Sequence, residues 1–150
     1  MGSKAFKSIV VRAATEALEL FAPFSDMTMM EIRFRPAGWV PARFRTTARG
    51  RYADLPVVVL ANKASASAAE IFAGVMQRWG YPVLGEQTTG KGSVQYLMAT
   101  TSGSLLRVTV ALYHFADGTS PDGVGVRPTR VESDPKRRLQ IATRYLGFFK

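Results

Sequence analysis

The chain has 150 residues, 47% of them hydrophobic and 21% charged, with a net charge of +9, one histidine and no cysteine. That is the length and composition of one folded globular domain, and it rules out disulfides and thiolate metal sites. With one histidine, metal ligands would have to be mostly carboxylates, and no cluster of Asp or Glu is visible; the longest apolar run, residues 55–61, is too short to span a bilayer.

No basic-then-apolar signal segment opens the sequence. Residues 8–22 are predicted to form a helix, with Val11, Ala14, Leu18 and Phe21 at helical spacing and Pro23 stopping the run. Residues 29–47 read as a hairpin bent around Pro36, Gly38 and Pro41. Between residues 31 and 54, Arg33, Arg35, Arg43, Arg45, Arg49 and Arg51 face only Glu31 and Asp54, with Phe34, Trp39, Phe44 and Tyr52 interleaved. A phosphate-binding and base-stacking surface has this composition. So do two half-buried strands with one wet face, and the alternation in EIRFRP and ARFRTT favours the strands.

PVVVLAN (56–62) is a continuous β-branched run, the pattern of a parallel strand covered on both faces. Residues 67–79 form a second predicted helix, ended by Gly80 and Pro82, and YPVLGE (81–86) another short strand. Residues 93–100 and 105–115 flank a polar turn and read as an antiparallel hairpin. In its second strand Leu106, Val108, Val110 and Leu112 alternate with Arg107 and Thr109, which predicts an even-numbered apolar face. Residues 116–129 are loop-rich, and Asp134-Pro135 start a last helix that runs toward Leu146. The β–α–β order over 56–86 makes the fold class α/β, with helices packed on a mixed sheet in a single domain, 1–150.

The chemistry concentrates in SASAAEIFAG (65–74) and GEQTTGKGSVQ (85–95). A serine opening an apolar helix has its hydroxyl near free backbone N–H groups and the positive end of the helix dipole, where an oxyanion is stabilised. Ser67-Ala-Ala-Glu70 is equally a capping box. The local pattern leaves nucleophile and cap both standing. Lys91 lies between two glycines that allow tight backbone geometry. Lysines in general titrate at about 10.4, and one becomes a base only where an apolar, carboxylate-free site removes its charge. Gln95 is placed to orient the amine without adding a charge. A phosphate loop is excluded, because Gly92 follows Gly90-Lys91 where a Ser or Thr is needed for magnesium.

Together with DGTSPDGVGVRPT (117–129), these two strings resemble the core of the carboxyl-terminal processing peptidases, or tail-specific proteases. The likeness covers roughly residues 55–130, and residues 134–146 are similar to the family's closing helix. The resemblance implies a crotonase-like core and a Ser/Lys endopeptidase acting near the C-terminus of extended or unfolded polypeptides without a cofactor. Residue by residue, it implies that Ser67 is the nucleophile, Lys91 the general base, Gln95 its orienting partner and the Ala68 N–H an oxyanion donor. Family members work in the bacterial periplasm, at the cell envelope or in chloroplast lumens. The sequence departs from the family in five respects. Ser67 to Lys91 is one residue short, Ala69 stands where a serine is common, and His114 stands where an aromatic residue is expected. The Asp-Leu-Arg-x-Asn-x-Gly-Gly segment, which supplies a strand and a second oxyanion donor, is missing, as is a PDZ domain. The expectation is therefore the C-terminal part of a catalytic core, truncated on its N-terminal side and weakly active or inactive alone.

Three rival readings accompany this one. His114 with Asp117 or Asp122 and a nearby serine would make a triad. A non-catalytic relative would bind peptide or protein through the same fold, with Lys91 exposed and far from Ser67. A nucleic-acid-binding module would depend on the arginines of 31–54 and show steep salt dependence.

Overall fold

A computed structural model describes residues 9–35 and 40–147. The predicted bend at Pro36 and Gly38, the stacking residue Trp39 and the Ser8 start of the first helix lie outside these residues. Three helices and seven strands follow in the order α1 (Ile9–Glu19), β1 (Thr28–Phe34), β2 (Ala42–Arg45), β3 (Val59–Ala61), α2 (Ala68–Arg78), β4 (Val83–Gly85), β5 (Ser93–Ala99), β6 (Leu105–Phe115), β7 (Arg130–Val131) and α3 (Pro135–Tyr145). The fold is α/β. Its ladders divide into an antiparallel sheet ordered β2-β1-β6-β5 and a parallel sheet ordered β3-β4-β7. None of the described helices is long and apolar enough to cross a membrane.

Helix α1 buries Val11, Ala14 and Leu18 as its spacing predicts, against Ile71, Val75 and Met76 of α2 and Met30 and Ile32 of β1. Helix α2 ends in a Schellman turn, with Gly80 N–H on the Gln77 carbonyl and Tyr81 N–H on the Met76 carbonyl, both at 3.0 Å. Gly80 takes φ +91°, which a residue with a Cβ resists. Asp134 caps α3 by accepting from the Arg137 N–H at 2.7 Å.

One sequence expectation is reversed. The face of β6 that enters the core is odd-numbered, with Ala111, Tyr113 and Phe115 buried, while Leu106 is half exposed. Alternation alone marked the even positions, because Arg107 and Thr109 read as the wet face. The odd face packs inward only at its C-terminal end. Beyond Thr109 the β5–β6 ribbon projects past the core, and Tyr96, Leu97, Met98, Leu105 and Leu106 are all exposed. A β-bulge between Val94 and Gln95 marks the point of departure.

Gly74 lets the Phe115 ring approach α2 closely, since a Cβ there would overlap the ring. The Arg78 guanidinium lies over the same ring, 3.9 Å from its centroid. Gly74→Ala should therefore destabilise the domain by about 1–3 kcal/mol through overpacking, despite the better helix propensity of Ala. Urea unfolding of the two proteins measures this, and an unchanged midpoint would refute the close approach.

Candidate functional site

Strand β3 runs into a tight turn at residues 62–66 and then directly into α2. Asn62 Oδ1 accepts from the Ala64 N–H at 2.9 Å, and the Ser65 N–H bonds back to the Asn62 carbonyl at 2.9 Å. Ser67 is the pivot residue, with φ 58° and ψ −114°. A non-glycine residue in such a conformation costs on the order of 1–3 kcal/mol and persists only where its surroundings impose it.

Those surroundings are supplied by Glu70, whose side chain is fully buried. Its Oε2 accepts the Ser67 N–H at 2.9 Å and the Lys91 N–H at 2.7 Å. Its Oε1 accepts the Gly90 N–H at 2.6 Å and the Thr88 hydroxyl at 2.5 Å. The Glu70 arm of the predicted capping box is thus present. The same carboxylate also holds the turn that carries Lys91, which local sequence did not reveal. Backbone contacts reinforce the join, with Thr89 N–H on the Ser65 carbonyl at 2.9 Å and Thr89 Oγ1 donating to the Lys63 carbonyl at 2.8 Å.

The loop-rich stretch 116–129 supports the lysine turn from behind. Gly92 N–H donates to Asp122 Oδ1 at 3.1 Å, and Gly123 N–H to the Gly90 carbonyl at 2.9 Å. A Cβ on Gly92 would collide with the Asp122 backbone, and Gly125, at φ +82°, is pressed against the Thr88 carbonyl. These glycines are required by close approach.

Ser67, Lys91 and Gln95 line one cleft of about 190 Å³, together with Tyr113 and Arg107. Gln95 enters it across the bulge in β5. The Ser67 hydroxyl is hydrogen-bonded to the buried Tyr113 hydroxyl at 3.2 Å. Tyr113 is a site residue that the sequence reading missed, because it lies on the strand face assigned to solvent. Ala68 begins α2, so its N–H belongs to the first turn, where helical N–H groups lack intrahelical partners. Lys91 is exposed, not enclosed in an apolar site, and among the described residues no carboxylate lies within ion-pair distance of it.

The rival groups are placed elsewhere or already committed. Asp117 binds Arg78 and Thr119, and Asp122 holds Gly92. His114 is half-buried on the other face of β6 from Tyr113, its Nδ1 without a hydrogen-bond partner among the described residues. Four of the six arginines of 31–54 are paired: Arg33 and Arg43 with Glu31, Arg45 with Asp26 and Arg49 with Asp54. Arg51 lies over Tyr52, 5.8 Å from the ring centroid. That distribution engages most of these arginines in ion pairs within the fold and does not favour nucleic acid. Among the described residues no group of three or more His, Cys, Asp or Glu is placed to hold a metal.

A strained serine at a strand-to-helix turn and a lysine thus line one cleft in an α/β frame. The chain belongs to peptidase family S41, whose family model matches residues 11–131. It is 43% identical over 96 residues to a carboxy-terminal-processing protease of Bartonella bacilliformis, a match covering 63% of this chain and 21% of that protein. To carboxyl-terminal-processing peptidase 2, chloroplastic, of Arabidopsis thaliana it is 46% identical over 74 residues, covering 49% of this chain and 14% of the relative. The chain therefore spans about a fifth or less of the length of these relatives. Its fold matches the photosystem II D1 C-terminal processing protease with a TM-score of 0.73 at 23% identity, over 88% of this chain and 35% of that one. A lipoprotein from Streptococcus agalactiae matches with a TM-score of 0.68 at 16% identity, over 93% of this chain and 50% of that one.

Two outcomes test this geometry. Glu70→Gln replaces an acceptor by an amide that faces backbone donors, and should cost about 3 kcal/mol of stability, read by urea denaturation. The amide signals of Gly90 and Lys91 should move with it, and a variant as stable as the parent would refute the clamp. The second concerns Asp117. Partial burial opposes its ionisation, but hydrogen bonds from Arg78 and Thr119 and the Arg78 charge outweigh this and hold its carboxyl down at about 2. The unfolded carboxyl titrates at about 3.9, so the stabilisation is complete above that pH and is lost as pH falls toward 2. Asp117→Asn should flatten the pH–stability profile in that window, and an unchanged profile would exclude the assignment.

Proposed function

We propose that this chain is the C-terminal part of a serine endopeptidase core, of crotonase-like architecture, that cleaves extended polypeptides near their C-termini with Ser67 and Lys91. The observation that carries the reading is Ser67 held at a positive φ on the wall of a cleft that also contains Lys91 and Gln95. Ser67 Oγ attacks the scissile carbonyl carbon while its proton passes to the neutral Lys91 amine. Negative charge collects on the carbonyl oxygen, toward which the Ala68 N–H and the α2 dipole are directed. The C–N bond then breaks, the departing amine takes the proton from Lys91, and an ester remains on Ser67. Water, deprotonated by Lys91, adds to that ester and releases the second product. Gln95 orients the lysine amine through its side-chain carbonyl. The scheme draws on no cofactor. A periplasmic or cell-envelope location rests on the family likeness alone.

The exposure of Lys91 favours a second reading, a peptide-binding relative without turnover. One experiment separates them. Unfolded casein is incubated with the chain and with its Ser67→Ala, Lys91→Ala and His114→Ala variants, and fragments are identified by mass spectrometry. Ser67→Ala and Lys91→Ala should each abolish cleavage with the fold preserved, and His114→Ala should leave it intact. Cleavage should also rise with pH, because the amine acts as a base only when deprotonated. Cleavage that survives Ser67→Ala would sink the dyad, and absence of cleavage by the parent chain favours the binding reading.

A further inference from the structure

The cleft around Ser67 is cationic and uncompensated. Of the residues lining it, Lys91 and Arg107 carry positive charge, and none is Asp or Glu. Several arginines elsewhere do have a carboxylate within 4.0 Å, Arg33, Arg43, Arg45, Arg49, Arg78 and Arg138 among them. Among the described residues none pairs with Arg107. A guanidinium stays charged at any working pH and presents a planar fork that matches a carboxylate.

Its position along the strand is equally specific. Residues 107, 109, 111 and 113 of β6 share one face, because side chains alternate along a strand. Opposite them on β5 stand Leu97 at Arg107, Gln95 at Thr109 and Val94 at Ala111. The cleft therefore runs along that face from Tyr113, bonded to Ser67, past Gln95 to Arg107. The backbone covers about 20 Å between residues 113 and 107, at about 3.4 Å per residue. With the arginine side chain reaching back into the cleft, that is the length of about four extended substrate residues.

We propose that Arg107 is a specificity-determining residue that selects polypeptides carrying a carboxylate about four residues from the position held at Ser67. The carboxylate is either a free chain terminus or an Asp or Glu side chain, which present the same fork to the guanidinium. The proposal deepens the peptidase reading, but binding to Arg107 does not require turnover, so the two are tested separately.

The test uses the 150-residue chain bearing Ser67→Ala and fluorescein-labelled Ala/Leu decapeptides, with affinity read from anisotropy at low salt. One peptide has an amidated C-terminus and no acid, the second a free C-terminal carboxylate, and the third an amidated end with one internal Asp. Peptides with a carboxylate should bind about tenfold more tightly than the neutral one, and the gain should shrink as salt rises. Arg107→Gln should remove that preference and Arg107→Lys should restore part of it. Arg130→Gln, on the other sheet, should leave it unchanged, with circular dichroism confirming that each variant is folded. A gain confined to the second or the third peptide identifies the source of the carboxylate. Equal binding of all three peptides, a preference that survives Arg107→Gln, a preference lost equally in Arg130→Gln, or no binding by any peptide would each overturn the assignment. None of these four results bears on cleavage of casein by the chain with Ser67 intact, which stands or falls alone.

Discussion

A single buried carboxylate organises this domain. Glu70 accepts hydrogen bonds from the Ser67, Gly90 and Lys91 N–H groups and from the Thr88 hydroxyl. Burying a carboxylate is costly unless it is fully hydrogen-bonded, and here both oxygens are doubly engaged. The arrangement fixes two turns that are far apart in sequence to one rigid group. It also holds Ser67 in its unfavourable backbone conformation, since releasing that strain would leave a buried acceptor with one donor fewer. The glycines at 90, 92 and 125 then follow as consequences, because the lysine turn is pressed between Glu70 on one side and residues 121–126 on the other.

The segment between the two turns contains β4, which pairs with β3 and β7. Registration between the turns passes through the Glu70 side chain, in addition to the chain that connects them.

Much of the frame was legible because its signals are local. The helix over 67–79, the strand runs at 56–62 and 81–86 and the hairpin at 93–115 each carry their own periodicity and punctuation, and Gly80 marks the end of α2. The Ser67–Glu70 spacing was legible too, but only as a cap. What could not be read was the second use of Glu70, since nothing in the order of residues states that positions 88, 90 and 91 return to position 70. The assignment of faces on β6 failed for a related reason. Alternation reports which residues are apolar, and on this strand both faces are mixed. Only the packing of Phe115 on Gly74 decides that the odd face is the inner one. Tyr113 and Arg107 were both hidden by that choice.

The β5–β6 ribbon gives the cleft a gradient of stiffness. At its inner end the ribbon is joined to β1, covered by α2 and clamped by Arg78 on Phe115. At its outer end it is two strands wide, and a two-stranded ribbon alone is only marginally stable in water. Local opening is cheapest where buried contacts are fewest. The cleft thus has a rigid wall beside Ser67 and a compliant one beyond Gln95.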